Sequence, residues 1–95
     1  LEQAKEAIII TDNGKEIADE IFKTLGRTVT IIEGEGLITG KTVVLYSVIT
    51  RIEVPQLKKI INESDYQAFV TISDVSEIVG RHIKRLPKGV KEWFI

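Results

Sequence analysis

Apolar residues along this chain fall into two kinds of run. Ala7-Ile8-Ile9-Ile10-Thr11, Val29-Thr30-Ile31-Ile32, the stretch 43–50 and Ala68-Phe69-Val70-Thr71-Ile72-Ser73 are short and rich in β-branched residues, the pattern of strands. Ile17, Ala18, Ile21, Phe22 and Leu25 instead recur at spacings of three and four, which predicts an amphipathic helix. Asn13 with Glu16 three residues on supplies a capping-box-like start, and Gly26 a stop. A second helix takes Pro55 in its first turn, where the missing N–H has no intrahelical partner anyway. It turns Leu57, Ile60 and Ile61 inward and Lys58 and Lys59 outward, and residues 62–65 break it. Residues 74–80 read as a short turn or helical piece. The order is βαββαβ, and right-handed crossovers then place both helices on one side of a four-stranded antiparallel sheet. The fold class is α+β, ferredoxin-like, in a single domain with its core over about 5–75 and a C-terminal extension over 76–95.

The strand pattern carries a second expectation. A two-layer fold leaves the far sheet face polar, yet Ile8 and Ile9, Ile31 and Ile32, Val43 and Val44, and Val48 and Ile49 are apolar in adjacent pairs, so both faces of the sheet look buried. Self-association into a dimer or trimer through that face explains this, and so does a tail over 89–95, with Trp93, Phe94 and Ile95, folding back to cover it.

Composition narrows the function classes. The 95 residues suit one domain, and 43% hydrophobic with 28% charged is an ordinary globular balance. The absence of cysteine excludes disulfide scaffolds, thiol nucleophiles and thiolate metal sites, and favours a reducing compartment. No run is apolar for long enough to cross a bilayer, so the fragment itself is expected to be soluble. A net charge of −1 gives no general field for nucleic acid. Charge is uneven, however: Arg81, His82, Lys84, Arg85, Lys88 and Lys91 run without an acid among them, and suit either an acidic ligand or membrane surface or a solvated tail.

The candidate site is the stretch from Ile32 to Lys41, with Gly34, Gly36 and Gly40. Glycine exposes its amide and tolerates positive φ, so Gly-x-Gly ending in Gly-Lys can form a nest of N–H groups for an anion, with Lys41 at its edge and Arg81 as a second cation; a plain hairpin is the other reading. Glu33 and Glu35 beside the glycines oppose an anion unless they point away. The segment from Gly36 to Thr42 is one residue too short for a P-loop. His82 has no partner for a catalytic triad, the serines lack a nucleophile elbow, and the carboxylates are dispersed without metal-ligand spacing. The chain is therefore expected to be a binding module rather than an enzyme, with no cofactor and no metal.

The runs Gly26-Arg27-Thr28-Val29-Thr30, Gly34-Glu35-Gly36-Leu37-Ile38-Thr39-Gly40, Arg51-Ile52-Glu53-Val54-Pro55-Gln56-Leu57 and Asp65-Tyr66-Gln67-Ala68-Phe69-Val70 closely resemble the soluble C-terminal domain of bacterial YitT-type membrane proteins, over residues 7–83. That resemblance implies an attached transmembrane region and a place at the cytoplasmic face of the membrane. A more distant resemblance is to PII signal proteins, which bind adenine nucleotides at clefts between subunits. Gly34, Gly36 and Gly40 look like the start of their loop after the second strand, and Arg81 falls near a phosphate-contacting arginine. The loop here is much shorter, has no tyrosine to modify, and lacks the Arg-x-Arg-Thr-Gly ending. Together these imply a regulatory domain sensing a small anionic metabolite or nucleotide at a subunit cleft, against the alternative of a purely structural oligomerisation domain.

Overall fold

A computed structural model describes residues 3–81 and, as backbone only, the short strands at 84–85 and 93–94. The elements are β1 (Ala4–Thr11), α1 (Gly14–Leu25), β2 (Thr30–Gly36), β3 (Gly40–Thr50), a 3-10 turn (Arg51–Glu53), α2 (Val54–Ser64), β4 (Phe69–Asp74), β5 (Lys84–Arg85) and β6 (Trp93–Phe94). The first four strands form an antiparallel sheet in the order β2-β3-β1-β4, and β5 pairs with β6. This is the predicted ferredoxin-like α+β arrangement.

Period-two alternation divides the sheet. Ala7 and Ile9 of β1, and Leu45 and Ile49 of β3, point to the helix side, where Ile17, Ile21 and Leu25 of α1 and Leu57, Ile60 and Ile61 of α2 close over them. Gly26 ends α1 in the left-handed conformation at φ 71° and returns its N–H to the Phe22 carbonyl. Gly14, at the other end, lets α1 lie directly on β3: a Cβ there would come within 2.5 Å of Val43 Cγ1.

Four local expectations differ from what forms. The Asn13 side chain does not cap α1; its Nδ2 donates to Glu16 Oε1 (2.6 Å) and to the Ser64 carbonyl (3.0 Å), tying the start of α1 to the end of α2. α2 continues to Ser64 rather than breaking at Asn62. Residues 75–80 form neither helix nor strand. Most consequentially, β2 and β3 run through the glycines, leaving Leu37-Ile38-Thr39 as the turn. Of the tail 89–95, expected as a possible cover, only the backbone of Trp93 and Phe94 is described, and the side chains of His82, Lys84, Arg85, Lys88, Lys91 and Trp93 lie outside the described residues.

One buried ion pair sits at the start of α2. Arg27, just past the end of α1, donates from Nε to Glu53 Oε1 (3.0 Å) and from Nη2 to Oε2 (3.3 Å), with side chains only 4% and 7% exposed. The same Oε1 accepts the Thr50 backbone N–H at 2.9 Å, so one carboxylate fixes both the turn into α2 and the chain leaving α1.

Candidate functional site

The glycine hairpin is regular. Gly34 pairs with Thr42, Glu35 with Lys41 and Gly36 with Gly40 across β2 and β3. Gly40 takes φ 80°, the left-handed value a tight hairpin needs, and a Cβ on Gly36 would fall 2.2 Å from Thr39 Oγ1. The contact at Gly36 is with the tip of the exposed Thr39 side chain, which can turn away, so of the three only Gly40 has a backbone reason to be glycine. At Gly34 a Cβ would make only ordinary contact with Val44 and Thr42.

The charges settle around this hairpin unevenly. Glu33, Glu35 and Lys41 share the helix-side face of the sheet, and a shallow cavity of about 670 Å³ is lined by Asp12, Glu33, Gly34, Glu35, Lys41, Thr42 and Val43. Three carboxylates there face one ammonium. Arg81 is not among the residues lining that cavity; β4, which ends seven residues before it, occupies the opposite edge of the sheet, and its last residue, Asp74, pairs with Lys5 at the end of β1 away from the hairpin. Gly34, Gly36, Gly40 and Lys41 form one cluster, and Arg81 follows the diagonal corner.

The larger feature is the sheet's outer face. Register aligns Ile32 with Val44, Val44 with Ile10 and Ile10 with Phe69, an apolar row crossing all four strands. Ile32 is 47% exposed, Ile10 38% and Phe69 63%, although each occupies a strand. Thr30, Tyr46, Ile8 and Thr71 form the next row, and Val48 lies beyond Tyr46. Of the paired apolar residues in the sequence, Ile9, Ile31, Val43 and Ile49 thus take the helix side and Ile8, Ile32, Val44 and Val48 the outer one. Ile10, Tyr46 and Phe69 complete the patch without having been singled out from sequence; their even or odd position relative to Ile8 and Val44 was the signal available.

Few charges interrupt this face. In its central rows the carboxylate is Glu6, and Tyr46 Oη donates to Glu6 Oε2 at 2.9 Å. That hydrogen bond, with partial burial and the nearby negative charge, pushes the phenol pKa of Tyr46 above its ordinary value. The pair is polar but already mutually satisfied. No helix among the described residues is long and apolar enough to cross a membrane, and no cluster of potential metal ligands occurs among them.

Comparison with known proteins agrees with this fold. Residues 27–80 match the family described as "Uncharacterized protein conserved in bacteria (DUF2179)". The chain is 40% identical over 81 residues to the UPF0750 membrane protein YxkD of Bacillus subtilis and 40% identical over 78 residues to its UPF0750 membrane protein YpjC. These alignments cover 84% and 81% of this chain but 29% and 27% of the relatives, so the chain spans under a third of the proteins it matches. The crystal structure of a DUF2179 protein from Eubacterium ventriosum superposes with TM-score 0.64 at 25% identity, covering 75% of this chain and 99% of that one. A functionally unknown protein from Pediococcus pentosaceus shares the fold, with TM-score 0.67 at 16% identity over 85% of this chain and all of its own. The chain belongs to the bacterial DUF2179 family and is the counterpart of that domain in UPF0750, YitT-type membrane proteins.

Proposed function

We propose that this domain is a regulatory assembly module at the cytoplasmic face of a membrane protein, joining copies of itself, as a dimer or trimer, through the outer face of its sheet. Its work is binding and assembly rather than catalysis. The observation that carries the reading is the apolar row Ile32, Val44, Ile10 and Phe69, which spans the sheet and has no covering element among the described residues. A second copy suits it because sheets pack face to face and because an isologous contact suffers no like-charge repulsion where charge is scarce. Burying the exposed parts of these four side chains contributes on the order of 4 kcal/mol per copy. Attachment to membrane segments supports this by raising the effective concentration of neighbouring copies.

A small anionic metabolite or nucleotide at the subunit cleft is the regulatory input in this reading. Within one copy Lys41 and Arg81 follow diagonal corners of the sheet, so a site using Gly34, Gly36, Gly40 and Lys41 with an arginine takes Arg81 from a neighbouring copy. Without such a ligand the same face makes a purely structural oligomerisation domain, and a thermal-shift screen of nucleotides and phosphorylated metabolites separates the two. Assembly itself is tested by sedimentation across micromolar concentrations. The expected mass is two or three times the 10.7 kDa of the chain, and Val44→Glu returns it to one, since an unpaired charge is costly to bury. A wild-type mass of one chain at every concentration overturns the proposal.

A further inference from the structure

A second concavity lies on the helix side, away from both the hairpin and the outer face. α2 leaves the inner surface of β4 partly uncovered, and the gap, about 540 Å³, lies within the size range of small-molecule pockets. Its floor is apolar: Val54 and Ile61 from α2 face Ala68, Val70 and Ile72, all packed against the core. Its rim is basic. Arg51, Val54, Lys58 and Ile61 follow one another at helical spacing, so the turn and α2 aim both cations along the same stripe, and Lys5 of β1 closes the end.

Ion pairing leaves an excess of positive charge there. Lys5 is bonded to Asp74, so that pair is neutral. The carboxylate of Asp65 is turned to the end of β1, accepting from Thr11 Oγ1 at 2.6 Å and from the Gln67 N–H at 3.1 Å. Arg51 and Lys58 have no acidic side chain paired with them among the described residues. Lys58 is exposed on α2 yet lines the groove beside Val54 and Ile61, so its stem can lie along apolar surface while its ammonium stays in water at the mouth.

From this cluster we infer that the groove between α2 and β4 binds a small organic anion, one with a flat apolar body and a carboxylate, sulfonate or phosphate. The body lies on Val70, Ile72 and Ile61, and the anionic group meets Arg51 and Lys58. Arg51 offers a planar fork suited to two acceptor oxygens and Lys58 a point charge. This site does not use the sheet face that carries assembly, so the two proposals fail separately.

The test is a titration of the 95-residue chain with 2-naphthalenesulfonate, followed by backbone amide chemical shifts, with uncharged 2-naphthol as the comparison. Saturable shifts are expected at Asn62, Tyr66, Val70 and Ile72. Replacing Arg51 and Lys58 together by Ala weakens the sulfonate by about tenfold or more, the worth of one charged hydrogen bond, while leaving naphthol nearly unchanged. Both residues are exposed, so the amide spectrum of that variant reports an intact fold. Ala68→Trp, which fills the groove, abolishes both. Shifts centred on Ile10, Ile32, Val44 and Phe69, equal affinity of the double variant, or no saturable binding overturns the inference.

Discussion

Removing the carboxylate of Glu53 tests how the chain leaving α1 is held to the turn that starts α2. In the native state that group accepts two bonds from Arg27, at 3.0 and 3.3 Å, and one from the Thr50 N–H at 2.9 Å, with both ionic side chains almost fully buried. Glu53→Ala strands a guanidinium in the interior and deprives a backbone donor of its acceptor. Breaking one side of a buried pair costs about 3–5 kcal/mol, a large share of the ~5–15 kcal/mol that holds a domain folded. Replacing both partners with apolar residues of similar volume, Arg27→Met with Glu53→Leu, removes the stranded charge as well as the attraction and costs far less. The assay is urea unfolding followed by far-ultraviolet circular dichroism. Protein concentration is held fixed because assembly adds a concentration-dependent term. With a slope near ~2 kcal/mol per M, a loss of about 4 kcal/mol lowers the midpoint by about 2 M. Each single variant should show that fall, and the double variant should recover most of it. Single-variant losses under about 1 kcal/mol, or a double variant whose loss is the sum of the two, refute the claim that this pair acts as one buried unit.

The remaining expectations concern smaller devices. Gly14→Ala drives a methyl to within 2.5 Å of Val43 Cγ1, so it should destabilise by about 1–3 kcal/mol in a thermal melt, with recovery when Val43→Ala is added. Gly40→Ala should cost about 1–2 kcal/mol because its φ is 80°, whereas Gly34→Ala, which meets only ordinary contacts, should be neutral or slightly stabilising. For Asp65, the Thr11 hydroxyl and the backbone N–H groups of Gln67 and Asp12 hold the carboxyl below its ordinary pKa, despite some opposition from burial. A lowered folded-state pKa stabilises above the unfolded-state value near ~3.9 and is lost as pH falls through the folded value, so Asp65→Asn should lower stability at neutral pH and flatten its decline in acid.

How far the sequence reveals this fold differs from element to element. The spacing of Ile17, Ala18, Ile21 and Leu25 locates α1 and its buried face, because a helix's periodicity is local, and Gly26 stops it as its left-handed φ requires. The strands at 34–36 and 40–42 read as loop because glycine is poor in strands on average. Here cross-strand pairing with Thr42 and Lys41 overrides that preference, and the turn shrinks to three residues. The Arg27–Glu53 pair leaves no local trace: its partners are 26 residues apart, and only tertiary packing brings them together. Adjacent apolar residues in the strands do announce a sheet with two apolar faces, but which residue of each pair faces outward depends on register. The groove at Arg51 and Lys58 escapes sequence reading for a related reason, since outward lysines are ordinary on helices and its other wall comes from β4.

The claim that copies meet through the outer face is tested most directly by contacts between them. In a mixture of isotope-labelled and unlabelled chains, nuclear Overhauser effects filtered for different copies should connect the methyl groups of Ile10, Ile32 and Val44 with one another and with the Phe69 ring. These effects should fade on dilution as the assembly dissociates. Intermolecular effects confined to α1 and α2, or none at concentrations where sedimentation still shows an assembly, would contradict the account.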